Sequence, residues 1–340
     1  VILYVVAGVA GILSKEQAVL LPLLAVLLDR FFVGDRCNQF TWPDWRSPRL
    51  WLAYLPAIVL LLSLMWLFYR NFTGISNRSF TPWERLLTEA RVVWIYVRMA
   101  VFPVADQFSP FHDGLVASRS LFDPPTTAFA VAGCFGVIWL AFWKRRSWPL
   151  FSFAIAWFVI AHLLESTFIQ LELMFEHRNY LAMLGPCVSI VFAVQRLSAR
   201  HSWVWLPLGL AIAINSMTLL LAANIWGKPM VAAQAWIENY PMSERAVTNY
   251  ADKLMRLGER GRGVDELIAG AQRVPQSAGL QMQALQFACL SGRPVEDHLR
   301  HALQRLPTAV PSNAAVRSLA EMIDAVHGGS CQRLGYDDLL

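Results

Sequence analysis

The chain has 340 residues, of which 56% are hydrophobic and only 16% charged, with 14 Trp and a formal net charge of +5. An ordinary water-soluble domain carries more charge and less apolar surface, so that class is excluded for much of the chain. The positive balance does not imply nucleic acid as a partner, because much of it sits in short loops beside apolar runs, where it sets membrane orientation.

Val1–Leu13 is apolar from the first residue, with no basic stretch before it, so it does not read as a secretory signal. It reads as the middle of a membrane helix, and further sequence is expected before Val1. The turn Ser14-Lys15-Glu16-Gln17 leads into a second run, Gln17–Val33. Leu50–Tyr69, Thr126–Trp143, Pro149–Leu164, Leu181–Gln195 and Trp203–Ala223 follow, which makes seven expected crossings. Several are shorter than the roughly 20 apolar residues of a full span. Arg30, Arg36, Arg46 and Arg49 share one loop, Lys144, Arg145 and Arg146 a second, Arg196 and Arg200 a third. Seven crossings put all three on one face, and the excess of basic residues makes that face cytoplasmic. The Lys15 turn, the loop 70–125, Glu165–Tyr180 and everything after Trp226 then lie on the opposite face.

Within the long loop, Thr81-Pro82-Trp83-Glu84 spells a helix start: Thr as cap, Pro in the first turn, Glu three residues after the cap. The helix is expected to run to about Phe102 and stop before Pro103. It carries Arg85, Arg91 and Arg98 on an otherwise apolar and aromatic stretch, and a full crossing would break the loop parity. It therefore reads as interfacial or re-entrant. Its arginines either line a groove for a lipid-linked substrate or snorkel to the headgroups. Asp106, His112 and Asp113 follow it.

The stretch from Glu165 to Leu181 is the most informative. Between two apolar runs it holds Glu165, Glu172, Glu176, His177 and Arg178. Charges this close to hydrocarbon are costly, and they either pair with one another or serve a site. The plain alternative is a wet loop.

From Pro229 the pattern is that of a soluble helical domain. Ala246, Tyr250, Ala251, Leu254, Gly258, Leu267, Ala271 and Pro275 match a tetratricopeptide repeat. A second, degenerate unit holds Ala284, Ala288, Gly292, Ala302 and Pro307, and a third helical piece covers Ala314–Val326. Stacked helix pairs present concave binding surfaces; a helical cap without a ligand is the alternative. Cys37, Cys134 and Cys187 are scattered without metal spacing, while Cys289 and Cys331 can pair in an oxidising compartment.

Three motifs stand in order ahead of the repeats: Gly11-Ile12-Leu13-Ser14-Lys15-Glu16-Gln17, then Glu84-Arg85-Leu86-Leu87-Thr88-Glu89-Ala90-Arg91, then Phe175-Glu176-His177-Arg178-Asn179-Tyr180-Leu181. Together they resemble the transmembrane and tetratricopeptide-repeat-containing O-mannosyltransferases and their bacterial relatives, polytopic glycosyltransferases of the GT-C fold. The resemblance implies an all-α protein. A polytopic membrane helix bundle would occupy 1–226 and an extracytoplasmic, soluble tetratricopeptide-repeat-like domain 227–340. It implies a multi-pass protein, in a bacterium of the inner membrane with the C-terminal domain periplasmic. The expected reaction moves a sugar from a polyprenyl-phosphate-linked donor to a hydroxyl, of protein Ser or Thr. Lys15, Arg178 and Arg91 would hold the donor phosphate, Glu16 and Glu176 would orient the cations, and His177 and Tyr180 would touch substrate. The family's catalytic acid would lie upstream of Val1. A divalent metal is neither required nor excluded. The expected partners are the bilayer, the lipid-linked sugar, and a protein acceptor or partner held by the repeats. Two other classes stay open: an O-antigen ligase or polymerase, and a non-catalytic membrane-anchored repeat scaffold.

Overall fold

The structure, a computed structural model, describes residues 2–33, 45–73, 80–103, 109–169, 171–295, 304 and 312–331. Arg36, Cys37, Asp106, Ala302 and Pro307 lie outside the described residues. The fold is all-helical: among the described residues there is no strand, only an isolated bridge between Ser120 and Asp123. The chain divides into two compact units. Unit 1 is Val1–Phe102 with Val116–Ile214, and unit 2 is Pro103–Leu115 with Asn215–Leu340. The boundary therefore falls earlier than the Trp226 read from composition, and a piece of the long loop belongs to the second unit.

Unit 1 contains α1 (Ile2–Ser14), α2 (Leu21–Leu28), α3 (Leu55–Thr73), α4 (Pro82–Val101), α5 (Thr126–Trp143), α6 (Pro149–Ala161) and α7 (Asn179–Ser198). The next helix, α8 (Trp205–Trp226), begins there and ends in unit 2. Among the described residues four helical stretches are long and apolar enough to cross a membrane: Leu50–Phe72, Thr126–Trp143, Glu176–Ser198 and Ser202–Trp226. Leu3–Ser14 and Pro149–Ala161 are apolar but shorter. Phe129, Phe135, Trp139 and Leu206 are exposed. Helices apolar on all sides suit hydrocarbon, where each helix satisfies its own backbone.

The run Gln17–Val33, expected as one helix, is three pieces. A tight 3-10 segment, Glu16–Leu20, precedes α2, and a wide π-type turn, Asp29–Val33, follows it. Pro22 explains the first break. It has no N–H to give the Ala18 carbonyl, which instead accepts from Leu21 in the shorter i to i+3 pattern.

Two tryptophans dock helices together by one device. The indole N–H of Trp94 on α4 donates to the Ala130 carbonyl on α5 at 3.0 Å, and that of Trp157 on α6 donates to the Leu181 carbonyl on α7 at 2.9 Å. Each ring lies on a glycine. A Cβ on Gly133 would come within 2.8 Å of the Trp94 ring, and one on Gly185 within 2.4 Å of Trp157.

Unit 2 stacks α9 (Pro229–Asn239), α10 (Glu244–Arg256), α11 (Arg260–Arg273), α12 (Ala278–Leu290) and α13 (Asn313–His327). Ser243, Ser277 and Ser312 cap α10, α12 and α13 alike, each accepting from the backbone N–H three residues on. Gly258 and Gly292 end α10 and α12 with φ of 87° and 68°, which only glycine adopts cheaply. Ala246, Ala251, Leu254, Leu267 and Ala271 are buried. Cys289 and Cys331 form a disulfide inside a cluster with Val264, Leu285 and Met322.

Candidate functional site

The site lies in unit 1 and is built on α4. The expected capping box fixes the start of that helix: Thr81 Oγ1 accepts from the Glu84 N–H at 3.2 Å, and the Glu84 carboxylate accepts from the Thr81 N–H at 2.7 Å. From there Arg85, Glu89, Val92 and Tyr96 form one buried stripe at helical spacing. α4 thus hides a polar face.

Arg85 is fully buried. Its Nε donates to the Thr167 carbonyl at 2.9 Å, Nη2 to the Glu165 carbonyl at 2.5 Å, and Nη1 to the Leu171 carbonyl. It also pairs with Glu89 at 2.7 Å. About three turns of helix beyond Arg85, the Tyr96 hydroxyl donates to the Phe175 carbonyl at 3.1 Å and accepts from the Phe175 N–H at 3.0 Å. Two side chains of one helix thereby clamp the segment 165–175. Five planar donors suit Arg to holding several carbonyls at once.

The clamp presents Glu165. This carboxyl is 4% exposed, accepts a hydrogen bond from Gln17 Nε2, and lies 3.4 Å from Arg178 Nε. Gln17 also donates to the Arg178 carbonyl at 3.4 Å. Burial pushes the Glu165 carboxyl above the usual carboxylate range, while Arg178, the Gln17 hydrogen bond and Lys15 pull the other way. Burial also pushes Glu89 up, to about 8, against the attraction of Arg85.

Arg178 is divided among several tasks. Its Nη1 donates to the Glu172 carbonyl at 3.4 Å, its guanidinium lies 4.4 Å from the Phe175 ring centroid, and among the described residues Nη2 makes no hydrogen bond. Lys15 sits over the Tyr180 ring at 5.1 Å and makes no ion pair among the described residues. Tyr180, His177 and Glu16 are exposed, and Glu176 opens the short turn Glu176–Arg178 that carries His177.

Of the residues singled out from sequence, Lys15 meets Tyr180, two residues beyond Arg178, although the two are far apart in the chain. Arg91 does not join them: it donates to the Val116 carbonyl at 3.1 Å and Ser118 Oγ at 3.2 Å, stitching that loop to α4. Gln17 and Glu89 were not read as site members. Glu165 was read as one of the charges that pair or serve a site, and Arg85 as lining a groove or snorkelling, whereas it is buried against backbone carbonyls. Arg85 and Glu89 do carry a sequence signal, an Arg-Glu pair one helical turn apart. No three His, Cys, Asp or Glu side chains among the described residues gather as a metal site.

The arrangement leaves one guanidinium edge, held by a buried carboxyl, and one ammonium group over an exposed aromatic ring. Such a set can hold an anionic group such as a phosphate. Comparison of the chain with protein-family models, curated proteins and solved structures returns no match.

Proposed function

We propose that the chain is a membrane glycosyltransferase of GT-C-like architecture. It moves a sugar from a polyprenyl-phosphate-linked donor to a protein hydroxyl on the non-cytoplasmic face. The observation that carries this reading is the convergence of Gln17 and Arg178 on the single carboxyl of Glu165, with Lys15 nearby over the Tyr180 ring. In the reaction, the bond between sugar C1 and the phosphate oxygen breaks and its electron pair leaves with the phosphate. The acceptor oxygen bonds to C1, and its proton passes through water to the released phosphate. Arg178 Nη2 and Lys15 Nζ face the growing negative charge, which is where cations lower the barrier. Glu165 is a positioning residue that aims Arg178, and Tyr180 offers a ring for the sugar to stack on.

Two further observations support the reading. The exposed apolar helices suit a bilayer. The Cys289–Cys331 disulfide supports placing the tetratricopeptide-like unit 2 in an oxidising compartment, outside the cytoplasm. The test is Arg178→Ala in the membrane-embedded protein, assayed with a lipid-phosphate sugar. Transfer and donor hydrolysis should both fall about a hundredfold or more, with Arg178→Lys recovering part of the loss. Wild-type turnover by a folded Arg178→Ala protein would remove the residue from the chemistry.

A further inference from the structure

The turn between α5 and α6 carries Lys144-Arg145-Arg146, and the chain holds no carboxylate side chain from Pro124 to Leu164. Elsewhere in unit 1, Arg49, Arg85, Arg119 and Arg178 meet the carboxylates of Asp29, Glu89, Glu84 and Glu165. Among the described residues, Lys144, Arg145 and Arg146 form no ion pair.

Aromatic rings seat two of these cations instead. Lys144 Nζ lies 4.2 Å from the Trp143 ring centroid and 5.6 Å from that of Trp148, so one ammonium group rests on indoles from both ends of the turn. The Arg145 guanidinium lies 4.0 Å from the Phe142 centroid and donates through Nη1 to the Phe142 carbonyl at 2.9 Å. The backbone closes beneath them, where the Trp148 N–H donates to the Lys144 carbonyl at 2.7 Å. A ring face attracts a cation by its quadrupole and leaves most of the N–H donors free. Among the described residues Lys144 Nζ donates to no oxygen, and the exposed Arg146 side chain makes no hydrogen bond. Setting membrane orientation requires only the charges, not rings that fix them.

The rings are themselves open. Trp139 stacks on Trp143 at 5.2 Å, and both are exposed, as are Phe142 and Trp148. They lie at the end of α5, which is long and apolar enough to cross a membrane. An anion free in water would meet the cations and leave the rings uncovered. A zwitterionic headgroup would bring its own cation against three that lack a counter-charge. A lipid with a net negative headgroup satisfies both halves, phosphate on the cations and acyl carbon on the indoles.

We propose that the α5–α6 turn is a binding site for one anionic phospholipid, with its phosphate on Lys144, Arg145 and Arg146 and the start of an acyl chain on Trp139 and Trp143. Lys144 and Arg145 are placed before the lipid arrives, so binding orders little that was free. The bound lipid ties the end of α5 to the start of α6. The site is independent of the transfer step.

The test uses the whole chain in a neutral detergent. Phosphatidylglycerol and phosphatidylcholine with identical acyl chains are offered together, and native mass spectrometry counts the lipid retained. Phosphatidylglycerol should be preferred about tenfold or more and should raise the melting temperature. Each cation facing an anionic lipid contributes about fivefold, so Lys144→Gln, Arg145→Gln and Arg146→Gln together should weaken its binding about tenfold or more. Trp143→Leu with Trp148→Leu keeps every charge and should weaken binding about fivefold; a thermal melt shows that both variants are folded. Arg196→Gln with Arg200→Gln removes two exposed cations that stand over no ring among the described residues, and should change nothing. Equal retention of the two lipids overturns the proposal, as does undiminished binding by the folded Gln variant. A folded Leu variant that binds like wild type, or an equal loss in the Arg196 and Arg200 variant, means diffuse charge rather than a site and overturns it too. So does displacement by glycerol phosphate at the concentration of the lipid, because the acyl chain would then contribute nothing.

Discussion

Unit 1 shows Phe129, Phe135, Trp139 and Leu206 on its surface and encloses Arg85, Glu89 and Glu165. Unit 2 does the reverse: it encloses Val247, Leu254, Leu267 and Leu280, and turns the ion pairs Arg256–Asp252 and Arg262–Glu259 outward. The same physical rules give both patterns once the surroundings differ. In water, apolar area is driven inside. In hydrocarbon that drive vanishes, so helices associate through packing and polar contacts. Charge inside unit 1 is thus the counterpart of the apolar core of unit 2.

The sharpest way to break this comparison is to remove an arginine from each unit. Arg85→Ala leaves three carbonyls and the Glu89 carboxylate without their partner, so about 3–5 kcal/mol of stability should be lost and little folded protein recovered. Arg256→Ala removes an exposed pair and should cost under about 1 kcal/mol. Detergent-solubilised melts of the two variants measure the difference. Equal, small losses would mean that the buried charge of unit 1 is not what organises it.

Reduction comes next. The bond between Cys289 and Cys331 closes a loop of sequence separation 42, and its loss should cost about 2–5 kcal/mol. The effect should be confined to unit 2. Limited proteolysis under dithiothreitol should therefore open sites within unit 2, Pro103–Leu115 included, and leave unit 1 protected. General cleavage would show that the units do not melt independently.

The smallest expected effect sharpens the picture inside unit 1. Gly185→Ala places a methyl against Trp157, where overpacking costs about 1–3 kcal/mol, and Gly136→Ala, with open space around its Cβ, should be neutral or slightly stabilising. If both variants melt alike, the indole-on-glycine contact is not a constraint.

Local signals were legible in the sequence and distant ones were not. The capping box at Thr81, the apolar runs that became α3, α5, α7 and α8, and the turn glycines Gly258 and Gly292 rest on neighbours a few residues away. Pro22 was equally visible, yet its effect, shortening the turn before it, was hidden by the length of the apolar run. In the site, Lys15 and Arg178 stood out because charge beside hydrocarbon is rare. Gln17 did not, because a neutral amide gives no such signal, and its partner Glu165 is 148 residues away. Arg91 looked equivalent to Arg178 as a cation near the membrane. Only the path of the chain at Val116 and Ser118 shows that one of its guanidinium nitrogens is engaged there.

The Asp113 carboxylate accepts from the Ser243 hydroxyl at 2.6 Å and lies 3.7 Å from Arg245 Nε. This contact has a consequence for synthesis. The two partners are 130 residues apart, so at a ribosomal rate of roughly 5–20 residues/s Asp113 is made roughly ten seconds before Ser243 exists. During that interval α5 to α9 are translated, and the stretch around Asp113 is without its destination. Unit 2 is therefore an obligately late module: it cannot close as an independent piece at the end of the chain, because part of it was delivered earlier.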